Sequence, residues 1–93
     1  MKTIWKFTLA PIGAVEIPVG AKLLDVQVQN NLVVLWALVD PEAPKEVRRL
    51  RINGTGWDIT ESLGEYIATF QKDGLVFHVF DQPAGEREGG GKT

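Results

Sequence analysis

Cysteine is absent from this chain, and with it go disulfide scaffolds, thiolate-bound zinc and cysteine nucleophiles. Histidine occurs once, as His78, so no histidine pair is available within one chain for a metal site or for acid–base work. Serine also occurs once. Ser62 lies in Glu61-Ser62-Leu63-Gly64 and lacks the leading glycine of a Gly-x-Ser-x-Gly nucleophile elbow. A charge surplus is missing too: 10 Lys and Arg against 12 Asp and Glu leave −2, not the basic excess of a nucleic-acid polymer binder. The longest apolar run, Leu32 to Val39, is far shorter than the ~20 residues that span a bilayer. Near the start Lys6 interrupts the apolar residues, so no secretory signal is expected, and a cytoplasmic location is.

What is present is an ordinary globular balance, 44% apolar and 24% charged over 93 residues, enough for one domain. The dominant period is two, the mark of strands. Trp5, Phe7 and Leu9 alternate with Lys6 and Thr8. Val15, Ile17 and Val19 alternate with Glu16 and Pro18, and the proline predicts an edge strand. Leu24, Val26 and Val28 alternate with polar residues up to Asn30-Asn31, a two-residue hairpin turn. Leu32 to Val39 is apolar on both faces, as in a central strand covered on both sides or one with a face left for a partner subunit. After the Asp40–Pro44 turn, Glu46 to Ile52 is extended, with Leu50 and Ile52 inward and Arg49 and Arg51 outward. Trp57 and Ile59 are expected to pack back onto the body, and residues 60–63 to form at most one helical turn. Tyr66–Gln71 and Leu75–Phe80 flank Lys72-Asp73-Gly74, a second hairpin.

These patterns predict an all-β domain over residues 1–83, a compact antiparallel β sandwich or barrel of about seven short strands. Residues 84–93 hold one apolar residue and four glycines, so they read as a flexible Gly-rich tail. The tail's Gly91-Lys92-Thr93 resembles a phosphate loop only superficially, because Glu86 stands where that motif needs its first glycine. Free β edges and the two-sided apolar strand lead to the expectation of a homo-oligomer.

The chemistry-bearing residues are sparse. The aspartates stand singly, three of them beside turns, and no Asp-x-Asp or calcium-loop spacing occurs. No enzyme, no metal site and no cofactor are expected. His78 faces away from Leu75, Phe77 and Val79 and reads as a half-buried strand histidine. Trp5 and Trp36 are assigned to the core or to a subunit interface. The best binding candidate is Arg49 and Arg51 with Gly54, Thr55, Gly56 and Trp57. Two guanidinium forks, backbone amides open to close approach and a stacking ring suit a phosphate-bearing ligand. A solvated, paired strand face is the competing reading.

The order of segments also resembles a known family. Ile4-Trp5-Lys6-Phe7, Gly20-Ala21-Lys22, Leu35-Trp36-Ala37-Leu38-Val39-Asp40, Ile52-Asn53-Gly54-Thr55-Gly56 and Val76-Phe77-His78-Val79-Phe80 are similar to small proteins common in bacteriophage genomes and prophage-bearing bacteria. Members of that family carry histidine after Gly-Thr-Gly, where this chain has Trp57. The resemblance implies a phage accessory protein that acts on host defence by sequestering a nucleotide. A protein–protein inhibitor or adaptor and a virion assembly component are the alternatives.

Overall fold

The computed structural model describes residues 1–9, 13–60 and 62–82. The expected tail lies outside these residues, and so does Glu61 of the expected helical turn. Thr60 and Ser62–Gly64 carry no helix.

Seven strands form: β1 (Thr3–Thr8), β2 (Ala14–Pro18), β3 (Lys22–Gln29), β4 (Leu32–Val39), β5 (Lys45–Gly54), β6 (Glu65–Lys72) and β7 (Leu75–Gln82). They make two antiparallel sheets, β1-β4-β3 and β2-β5-β7-β6, so the chain is a β sandwich. β4 is central in the three-stranded sheet, and the proline-bearing β2 is an edge, as their patterns predict. β3 runs close beside β6, so the two sheets adjoin along that side.

Local chemistry sets the hairpins. Asn30 and Asn31 take φ of 52° and 65°, and Asp73 and Gly74 take 54° and 79°. Positive φ at both central residues gives the tight turn whose twist matches its strands. The two tips are neighbours, with Lys72 Nζ donating to Asn31 Oδ1 at 3.5 Å.

The core fills the space between the sheets with Ile17, Val26, Leu35, Val39 and Val79, all fully buried, and with Phe70. Each comes from the inward half of an alternating strand. A bulge between Leu23 and Asp25 corrects one expectation: Leu23 turns inward and Leu24 is exposed. The extra residue shifts the alternation by one. Trp5 packs half-buried against the core, whereas Trp36 lies half-buried on the outer face of its sheet. Val34 also faces outward yet is only 3% exposed. Above it, Lys6 Nζ donates to Gln29 Oε1 at 2.7 Å, carrying the lysine stem across β4 from the β1 side to the β3 side.

At one end of the core, Arg48 closes the gap between the sheets. Its Nε and Nη2 donate to Asp81 Oδ1 and Oδ2 at 3.1 and 3.0 Å, and Nη2 also donates to the Ala21 carbonyl at 2.9 Å. Glu46 stands 3.7 Å from Nη1. This is a two-pronged, largely buried ion pair linking β5, β7 and the turn before β3.

Candidate functional site

β5 divides its residues strictly between two environments. Leu50 and Ile52 face the core, and Arg49, Arg51 and Asn53 face out. Strand pairing extends these outward residues into rows across the four-stranded sheet. Arg49 stands opposite Gln82, Arg51 lies in line with Phe80 and Tyr66, and Asn53 lies in line with His78 and Thr69. The outer face therefore carries cations, rings and hydroxyls together.

Tyr66 reaches this face because of a bulge. The register shifts between Tyr66 and Ala68, so Ile67 and Ala68 both turn toward the core while Tyr66 joins Thr69 outside. The Tyr66 ring is 55% exposed and meets Phe80 edge-on at 5.7 Å.

From Tyr66 a chain of hydrogen bonds runs along the sheet. Tyr66 Oη and Thr69 Oγ1 are 2.8 Å apart, Thr69 Oγ1 and His78 Nδ1 3.1 Å, and His78 Nε2 and Thr55 Oγ1 2.8 Å. Thr55 Oγ1 also donates to the Val76 carbonyl at 3.4 Å. A carbonyl only accepts, so that last bond sets the direction of the rest. Nε2–H donates to Thr55, the Thr69 hydroxyl donates to Nδ1, and the Tyr66 hydroxyl donates to Thr69. Both ring nitrogens are thereby engaged by threonine hydroxyls. The sequence pattern shows the face on which His78 lies but not this chain, whose members come from β6, β7 and the turn after β5.

The six sequence-predicted residues do not share one surface. Arg49 is exposed and Arg51 half-buried on the outer face, where Arg51 has interactions of its own. Thr55 joins them through His78. Gly54, paired with Phe77, belongs to the inward side of the sheet. Trp57 folds over Gly54 on that side. A Cβ at Gly54 would lie 2.5 Å from the indole, and the ring meets Phe77 edge-on at 6.0 Å. Gly56, at φ +89°, serves the turn itself. The expectation that Trp57 and Ile59 pack back is met by Trp57, which rests on Gly54 and Phe77 while staying 58% exposed, and is corrected for Ile59, which is 59% exposed. Gly54 lies three positions after Arg51, and in a strand an odd offset means opposite faces.

Beside Trp57, Phe77 and Leu75 line an open apolar cleft that continues toward Ile52 and Phe70. Among the described residues, no cluster of three or more His, Asp or Glu residues is placed to hold a metal. No helix among them is long and apolar enough to cross a membrane.

Over residues 1–90 the sequence matches a family described as a domain of unknown function, DUF7352. The chain belongs to the DUF7352 family. No curated protein and no solved structure matches it. In this DUF7352 chain, the outer face of the four-stranded sheet brings together Arg49, Tyr66 and the hydroxyl–imidazole chain beside them.

Proposed function

We propose that this DUF7352 chain is a non-enzymatic binding module that holds a phosphate-bearing, nucleotide-class ligand on the outer face of its four-stranded sheet. The observation that carries this reading is the exposed Tyr66 ring one row and two strands from the exposed Arg49 fork. A base stacked on Tyr66 gains about 1–3 kcal/mol from ring contact. A phosphate within reach of Arg49 gains charge-assisted, two-pronged hydrogen bonds. Arg51 and Phe80 share the row of Tyr66, Gln82 stands beside Arg49, and Asn53 adds an amide group in the row beyond Arg51. The ligand is held, not converted: His78 spends both ring nitrogens on threonine hydroxyls and offers no unoccupied base. The resemblance to phage-borne proteins supports a setting in which the captured nucleotide is a host defence signal.

The test is a thermal-shift and calorimetry panel of cyclic and linear nucleotides against the full chain. The expected result is saturable stabilisation, about 2.7 kcal/mol at a ligand concentration 100 times Kd. Arg49→Ala and Tyr66→Ala should abolish it, Arg51→Ala should weaken it, and Trp57→Ala should leave it intact. No stabilisation by any member of the panel would rule the reading out.

A further inference from the structure

Sheet edges present unpaired backbone N–H and C=O groups, and proteins guard them with prolines, bulges, charges or covering elements. This sandwich has four edge strands, and three are guarded in such ways. β2 is short and ends on Pro18, which has no N–H to offer. β3 carries the Leu23/Asp25 bulge and β6 the Tyr66/Ala68 bulge, and these two strands also shield each other. β1 has neither proline nor bulge, and its pairing with β4 is regular along its whole length.

The direction of its backbone groups follows from one bond. Leu9 N–H donates to the Val33 carbonyl at 2.9 Å, in continuous register with Thr8 opposite Val34. In an antiparallel strand successive residues point their N–H and C=O to opposite sides. Thr3, Trp5 and Phe7 therefore pair with β4, and Ile4, Lys6 and Thr8 present theirs to the open edge. The one charged side chain within β1 is drawn away from the edge, because the Lys6 ammonium lies back across its own sheet on Gln29. Ile4 is 56% exposed beside this edge, and Trp5 and Phe7 are only half-buried.

We infer that β1 is a self-association edge, joining two copies of this chain antiparallel into one continuous six-stranded sheet. The occupant is a second copy because β1 is complementary to itself about Trp5. A two-fold axis there sets Ile4 opposite Lys6 of the second copy, both with outward backbone groups, and brings Trp5 against Trp5 on the inner side. Thr3 then meets Phe7, and no like charges face one another. The next register, centred on Lys6, sets ammonium against ammonium. The dimer leaves the outer face of the four-stranded sheet uncovered, so it stands or falls independently of ligand binding there.

Sedimentation velocity of the full chain over a range of concentrations is the test. The expected result is a species of twice the chain mass that dissociates on dilution. Lys6→Pro removes an outward N–H without touching the β4 ladder and should give monomer. Should that variant fold poorly by circular dichroism, Ile4→Lys serves instead, setting ammonium opposite Lys6 of the second copy, and should likewise give monomer. Because the chain has no cysteine, mixing Ile4→Cys with Lys6→Cys chains under mild oxidation should trap the mixed dimer in excess over either alone. A wild-type chain that stays monomeric throughout, a folded variant that still dimerises, or Lys6→Cys chains cross-linking best with themselves would each overturn the inference.

Discussion

Arg48 and Arg49 are chain neighbours with opposite fates. Arg48 points into the sandwich, where Asp81 accepts from Nε and Nη2 along one edge of its guanidinium and the Ala21 carbonyl accepts a third bond. Arg49 points out onto an open sheet face in the row beside Arg51, Phe80 and Tyr66. One step along a strand converts a residue that holds the fold into one that is available for a ligand. On the proposed function, stability and ligand binding rest on alternate residues of the same strand, and substitutions should separate them.

The largest effect belongs to the inner member. Arg48→Ala leaves the Asp81 carboxylate nearly buried and unpaired, and should destabilise the fold by about 3–5 kcal/mol in urea unfolding. Replacing both partners, Arg48→Met with Asp81→Leu, should recover most of that loss, because an apolar pair leaves no charge to desolvate. If the double variant is no better than the single one, the ion pair contributes more than mutual neutralisation.

Next comes the floor beneath Trp57. Gly54→Ala drives a methyl group into the indole and should lower stability by about 1–3 kcal/mol, with a shift in tryptophan emission. Ligand binding on the opposite face should survive it. A smaller effect is expected within the hydroxyl chain. Thr69→Val unpairs His78 Nδ1 and the Tyr66 hydroxyl, for about 1 kcal/mol, and should change the imidazole tautomer signature in nitrogen NMR. Smallest of all is Arg49→Ala, which should change stability by less than about 0.5 kcal/mol while removing ligand binding. A large loss of stability there would erase the contrast with Arg48.

Much of this architecture is legible in local chemistry. Period-two alternation marks the strands, Asn30-Asn31 and Asp73-Gly74 mark the two hairpins, and Pro18 marks an edge. Alternation also places Arg48 and Arg49 on opposite sides. The candidate site is less legible because closeness in sequence is a poor guide within a strand. Trp57 lies near Arg51 in the chain, yet it covers the inward side of Gly54. Tyr66, Phe80 and His78 lie far from the arginines in the chain and reach them only through the order β5-β7-β6. The bulges decide the rest. Nothing local in Tyr66-Ile67-Ala68 announces that two residues in succession turn inward, and without that shift Tyr66 would face the core. The Arg48–Asp81 pair is hidden for a similar reason, since its members are 33 residues apart and meet only when β5 and β7 align.

On the proposed function, the ligand sits on the outer face of the four-stranded sheet and not at the turn that carries Trp57. Amide and side-chain NMR of the full chain, titrated with a nucleotide that stabilises it, tests this most directly. Shifts should concentrate at Arg49, Arg51, Tyr66, Thr69, His78 and Phe80, with Trp57 and Leu75 unmoved. Shifts centred on Trp57, Leu75 and Phe77 with the Arg49 and Tyr66 signals unchanged would contradict it.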